Sequence, residues 1–158
     1  MRFGFDDDTL AFRDAVRTLL AKECPPEVVR AVLLDFAAYP EWAKDLKDAE
    51  VVASDVDGVP LDVRFRAAGM GRSTSYTLRY DLSDPAVVAW VLVEGDVTKK
   101  LDGHYALAAG ADGGTEVTYV LEAELKLPLP GFVKNRAQGR IMHAALVDLK
   151  DRAESQGA

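Results

Sequence analysis

Cysteine is nearly missing from this sequence. A single one, Cys24, stands among 158 residues, so no internal disulfide can staple the fold, as befits a reducing cytoplasm. Histidine is scarce as well. His104 and His143 lie far from each other and from Cys24, which leaves no metal-ligand spacing; no metal or other cofactor is expected. Basic residues are outnumbered 19 to 26, for a net charge of −7. That balance argues against nucleic acid as a partner, because a phosphate backbone demands a basic face. Long apolar runs are lacking too. "AVLLDFAAY" and "AVVAWVLV" fall well short of the roughly 18 residues that cross a bilayer. The start, "MRFGFDDDT", turns acidic at once, unlike a secretory leader. No nucleophile elbow, phosphate loop or dinucleotide fingerprint occurs, and "GMGRS" lacks the strand-to-helix context such a loop needs.

What is present suits one globular domain. Apolar residues make up 49% and charged residues 28%, and the length allows a single sizeable core. Residues Asp8 to Lys22 read as an amphipathic helix, with Phe12, Val16, Leu19 and Leu20 on one face. Pro25-Pro26 ends it, since neither proline donates an amide hydrogen. Pro26 then opens a second helix from Glu27 to Ala38. A short helix-like run closes in "YPEW", where Tyr39 and Trp42 flank a helix breaker.

From about residue 59 the period changes to two. Leu61, Val63 and Phe65 alternate with Asp62, Arg64 and Arg66. Tyr76, Leu78 and Tyr80 alternate with Ser75, Thr77 and Arg79. "AVVAWVLVEG" is apolar on both faces, as in a central strand or one covered twice. Leu101, Gly103, Tyr105 and Leu107 then share one phase, and so do Val117, Tyr119, Leu121, Ala123 and Leu125. Turn signals at Asp57-Gly58, Gly69-Met70-Gly71, Asp84-Pro85, Gly95-Asp96 and Asp112-Gly113-Gly114 separate these runs. Tight connections between consecutive strands mean an antiparallel meander. The helical period returns at Gly131. Val133, Ala137, Ile141, Ala145 and Leu149 recur every four residues, with Phe132, Met142 and Leu146 widening the face. At 1.5 Å per residue this helix spans about 36 Å, enough to cross a sheet.

Six strands bowed around one helix enclose volume. The inward phase offers Tyr76, Tyr80, Trp90, Tyr105 and Tyr119, whose polar handles want partners. The helix answers with small residues, Ala137, Gly139, Ala144 and Ala145. Two fillings satisfy this pattern: a ligand cavity, or a packed core with hydroxyls reaching the rim.

Three segments carry a resemblance: "VLLDFAAYPEWAKDLKDAEVV", "LDGHYAL", and "GTEVTYVLEAELKLPLPGFV" leading into the last helix. From about Pro26 to Glu154 the chain resembles the START/Bet v 1-like (SRPBCC) superfamily, in its polyketide cyclase/dehydrase and coenzyme Q-binding branch. The resemblance implies an α+β helix-grip fold. In it a curved antiparallel sheet of six or seven strands wraps a long C-terminal helix, and two short helices close one end. On this reading residues 1–24 form an N-terminal helical extension and residues 25–158 the helix-grip domain. Members usually start with a strand where this chain has its helix-like segment. Either "RFGF" supplies that strand, or the helix covers the sheet edge. The same segment faintly resembles the opening helix of acyl-CoA dehydrogenases.

The resemblance also implies a deep apolar cavity for a lipid, isoprenoid quinone or polyketide-like molecule, with Tyr39-Pro40-Glu41-Trp42 shaping its entrance. The candidate ligand-binding residues are Phe36, Tyr39, Trp42, Phe65, Tyr76, Leu78, Tyr80, Trp90, Tyr105, Tyr119, Phe132, Ile141 and Ala145. The expected function is binding or transport of that molecule by a monomer or homodimer. The alternative is a polyketide aromatase/cyclase, which needs an inward ionisable pair. His104 falls on the polar phase, His143 lies beside the cavity-facing stripe, and Arg64, Arg66 and Arg79 point outward by alternation. Lys126, Lys134, Arg136 and Arg140 cluster near "LPLPGF" without an acid between Leu125 and Val147. The expected consequence is a patch for transient contact with an anionic membrane, or else an ordinary solvated helix face.

Overall fold

The computed structural model describes residues 9–19, 24–69, 72–110, 113–126 and 130–157. Seven strands form one antiparallel sheet in the order β1-β7-β6-β5-β4-β3-β2. They are β1 (Thr9–Leu19), β2 (Leu46–Ser54), β3 (Pro60–Gly69), β4 (Arg72–Asp81), β5 (Val87–Gly95), β6 (Thr98–Ala109) and β7 (Thr115–Leu125). From β2 to β7 every strand pairs with its sequence neighbour, the meander that the turn signals predict. Register shifts in the β2–β3, β4–β5 and β6–β7 pairs add bulges, and bulges bend and twist a sheet.

The N-terminal segment overturns one expectation. Instead of a helix over Asp8–Lys22, Thr9–Leu19 is a strand paired with β7, from Thr9 opposite Glu124 to Leu19 opposite Glu116. The helical extension is therefore corrected over the described residues 9–19: this strand belongs to the same sheet as β2–β7. Phe12 and Val16 are four apart, a spacing that periods of two and of 3.6 both accommodate. What decides between them is the free edge of β7, whose amides and carbonyls need a partner. The alternative first strand, "RFGF", lies outside the described residues.

Helix α1 (Pro26–Leu34) starts on Pro25-Pro26 with a proline in its first turn, and buries Val29, Val32 and Leu33. After a 3₁₀ turn (Phe36–Ala38), helix α2 (Tyr39–Trp42) is a single turn begun by Pro40. These are the two short helices at one end. In the β2–β3 hairpin, the Asp55 carboxylate accepts from the amides of Asp57 and Val59, and Gly58 takes φ +82°. Arg30 of α1 ties the β4–β5 connection to the helix. Its guanidinium donates to the carbonyls of Leu82, Asp84, Pro85 and Val87 at 3.0–3.2 Å.

The C-terminal helix runs as α3 (Gly131–Met142), a π-helical turn (His143–Asp148) and α4 (Leu149–Gly157), with helical backbone at both junctions. Its two halves behave differently. Leu146, Leu149 and Ala153 are buried, and α4 packs on α1. Helix α3 buries only Lys134. The helix is thus clamped at its C-terminal end and held off the sheet toward its N-terminal end. β5 is central in the sheet as expected, yet covered on one face alone: Val88 and Trp90 are buried, while Val91 and Val93 are 50% and 46% exposed. Among the described residues no helix is long and apolar enough to cross a membrane.

Candidate functional site

The space between α3 and the sheet is a cavity of about 360 Å³. Strand alternation builds its wall. Phe65, Leu78, Tyr80, Trp90, Tyr105 and Tyr119 are all buried and line it. All five tyrosines and both tryptophans of the chain border the cavity. Their rings form two contacting groups, joined through Phe36. Tyr39 contacts Trp42 at 5.0 Å and Phe65 at 5.7 Å, Phe65 stacks on Tyr76 at 5.6 Å, and Tyr80 meets Trp90 at 5.9 Å. Trp90 then reaches Tyr105 and Tyr119, which lie 4.8 Å from each other. Gly103 makes room for the second group. A Cβ there would sit 2.4 Å from the Val120 carbonyl oxygen and 3.0 Å from the Trp90 ring.

The helix side is walled by Ala137, Ile141, Ala144 and Ala145. Here the π-helical turn matters, because it disturbs the regular carbonyl ladder. The Tyr105 hydroxyl donates to the Ala145 carbonyl at 2.8 Å, satisfying a group the wall would otherwise expose. The Tyr39 hydroxyl donates to the Leu33 carbonyl at 2.5 Å, which locks α2 against α1. Among the described residues, the hydroxyls of Tyr76, Tyr80 and Tyr119 have no hydrogen-bond partner. Burial raises the pKa of all five tyrosines above the ordinary value, so each phenol stays protonated.

The predicted site residues line the cavity with two exceptions. Phe36 sits one layer behind the wall, 4.8 Å from Tyr80 and 5.4 Å from Tyr39. Phe132, in the first turn of α3, is 69% exposed. Gly139, expected to face inward, is exposed too. "YPEW" does shape the site: it is the turn that delivers Tyr39 and Trp42 to the wall. Trp42 also borders a separate crevice with Glu27, Asp35, Arg152 and Gln156 between the short helices and α4. Among the described residues its buried indole N–H has no hydrogen-bond partner.

Several lining residues escaped the sequence reading. Leu101, Leu121, Ala123 and Leu125 lie on the inward phase already recognised, so alternation could have found them. Asp45, Thr74 and Arg140 carried no such signal, since Asp45 lies in a loop, Thr74 near a hairpin end, and Arg140 in the basic cluster read as a membrane patch or a solvated helix face. Asp45 and Arg140 are the charged residues of the wall, and they pair with each other. Arg140 Nε donates to Asp45 Oδ2 at 3.0 Å, and Nη2 to Oδ1. Neither histidine borders the cavity. His143 is exposed, its Nδ1 3.4 Å from an Asp148 carboxylate oxygen. The three arginines point outward as alternation required. Arg79 pairs with Asp62, lowering that carboxyl's pKa by direct hydrogen bonding, and Arg64 pairs with Glu50. The four cations near "LPLPGF" do not form one exposed face: Lys126 donates to the Gly95 carbonyl, Lys134 is buried, and Arg140 is paired. Among the described residues, no group of three metal-ligating side chains gathers.

The model of one protein family, polyketide cyclase / dehydrase and lipid transport, matches residues 17–154. The chain belongs to this family. Within the polyketide cyclase / dehydrase and lipid transport family, the helix-grip fold of the START/Bet v 1 superfamily is the one seen here. A START superfamily protein from Mycobacterium smegmatis superposes with a TM-score of 0.80 at 25% identity, covering 90% of this chain and 97% of that one. The Zhui aromatase/cyclase from Streptomyces sp. R1128 gives 0.75 at 17% identity, covering 92% and 94%. Ara h 8.0201 gives 0.66 at 18%, covering 90% and 97%. The last two likenesses establish shared fold alone. No curated protein matches the sequence.

Proposed function

We propose that this protein binds or carries a hydrophobic small molecule, such as a lipid, isoprenoid quinone or polyketide-like compound. The observation that supports this reading is the cavity of about 360 Å³, walled mostly by carbon, into which the chain places every tyrosine and tryptophan it has. That volume lies near the lower end of the roughly 300–1,000 Å³ typical of small-ligand pockets, so a compact ring system or a short chain fits best. The three unpartnered phenols offer hydrogen bonds to a carbonyl or hydroxyl on such a guest, and the rest of the wall rewards apolar contact.

An aromatase/cyclase needs an acid–base pair aimed at the substrate. The charged wall residues Asp45 and Arg140 are engaged with each other, and burial keeps the phenols protonated, able to donate a proton but not to take one. Both features favour binding over catalysis.

Because Trp42 and Trp90 both border the cavity, intrinsic fluorescence reports its occupancy directly. Titration with decylubiquinone is expected to quench that emission saturably, and Trp90→Phe to remove much of the change. Organic extraction of freshly purified protein should yield a co-purifying apolar molecule. A linear, unsaturable response together with an empty extract would overturn the proposal.

A further inference from the structure

The Asp45–Arg140 pair sits where the apolar cavity meets solvent. The two side chains are 39% and 51% exposed, yet both residues belong to the cavity wall. Arg140 rises from α3, and Asp45 comes from the loop just before β2, at the end of α2. Leu46, Ala67, Ala68 and Ile141 line the same cavity, and the Ala68 amide donates to the Asp45 carbonyl. Among the described residues of this mostly apolar wall, the pair is the charged station, and its exposure puts it at the rim.

A guanidinium carries five N–H donors in a planar fork. Asp45 takes one edge, through Nε and Nη2. Among the described residues, Nη1 has no hydrogen-bond partner, so the outer edge, formed by Nη1 and the second N–H of Nη2, is free. That edge matches the two oxygens of a carboxylate. Asp45 itself shows that the fork accepts a carboxylate in this place.

The geometry points to a carboxylate-bearing amphiphile as the ligand class: its head is held at the mouth by the free edge of Arg140, and its apolar body fills the cavity. This rests on the binder reading above and narrows it. A neutral guest of equal length gains the apolar contacts alone, whereas the acid gains a charge-assisted pair on top. Asp45 has two opposing effects. It orients the guanidinium through two hydrogen bonds, and its negative charge weakens the hold on a second anion. Removing that charge while keeping the amide oxygen as acceptor, as in Asp45→Asn, should strengthen the acid selectively.

The test compares decanoate with 1-decanol at pH 8, below their micellar concentrations, by tryptophan fluorescence and calorimetry. Decanoate is expected to bind about tenfold more tightly than decanol to the unaltered protein. In Arg140→Gln the ratio of the two affinities should fall to about one, and in Asp45→Asn it should rise severalfold. Because the pair is half exposed, raising the salt to about 1 M should shrink the ratio without abolishing decanol binding. If the pair were only a structural tie, both variants would move the two ligands alike. Decanol binding with no preference for decanoate would overturn the head-group assignment and leave the cavity reading standing. Failure of both ligands to bind would overturn the two together. Thermal unfolding of each variant confirms that a lost preference comes from a folded protein.

Discussion

A tyrosine on a surface ionises at about pH 10; in this chain none has that freedom. All five border the cavity, and desolvation is the leading cause of the upward shift at each. The unfolded chain, with ordinary phenols, releases these protons first. A raised folded-state value therefore means that the stability linked to it is complete below about pH 10 and is lost as pH climbs beyond. Spectrophotometric titration should show almost no phenolate absorbance at pH 10.5, followed by one cooperative rise coincident with loss of the near-ultraviolet dichroism. Gradual ionisation of two or more phenols in protein that is still folded would contradict the burial described. Cys24 follows the same logic more quietly: burial, with help from the Glu154 charge, raises its pKa and leaves it a poor nucleophile.

At the scale of elements, the C-terminal helix is asymmetric and α1 explains half of that. Buried Val29 and Leu33 of α1 face a helix end carrying Leu149 and Ala153, so this end is closed by apolar packing. Arg30 extends the clamp to the sheet through three carbonyls of the β4–β5 loop and that of Val87 at the start of β5. Hydrogen bonds from a charged donor contribute roughly 1.5–3 kcal/mol each at partly buried positions, and less where water competes. Arg30→Ala should thus lower the unfolding free energy by about 2 kcal/mol, measured by urea denaturation, with Arg30→Lys recovering only part of it. A change below about 0.5 kcal/mol would mean that water replaces the guanidinium without cost. The other half of the asymmetry is compositional. Along α3 and the π-helical turn the wall takes Ala137, Arg140, Ile141, Ala144 and Ala145, and its three alanines fill little of the space between helix and sheet.

For the whole molecule, an empty apolar hollow is a cost, because its lining atoms lose contacts that a packed interior would supply. A guest that fills it binds the folded state alone and stabilises by mass action. At a hundred times its dissociation constant the gain is about 2.7 kcal/mol, which for a chain of this size corresponds to a melting-temperature rise of about 5–10 °C. Differential scanning fluorimetry over a panel of quinones, fatty acids and aromatic polyketide analogues should yield such shifts in a concentration-dependent way. A melting temperature that no member moves would count against the hollow as a binding site. The same volume sets an upper limit: guests much larger than the cavity should project through the mouth or fail to stabilise.

Much of this architecture was legible because strand parity is a local property. Val63 and Phe65, or Tyr119 and Leu121, share a face whatever the rest of the chain does, and turn residues mark where each strand ends. The meander, the long last helix and the inward aromatics follow from such local facts. The tertiary structure decided three things that depend on distance. Residues 9–19 became a strand because β7, about a hundred residues away, offers an open edge. Phe36 and Phe132 left the wall because helix position, not hydrophobicity, selects what faces a cavity. Asp45 and Arg140 met because the fold brings residues 95 apart in sequence to one rim. The separation of helix from sheet, on which the hollow depends, is a sum over contacts at the far clamped end, and no local pattern records that sum.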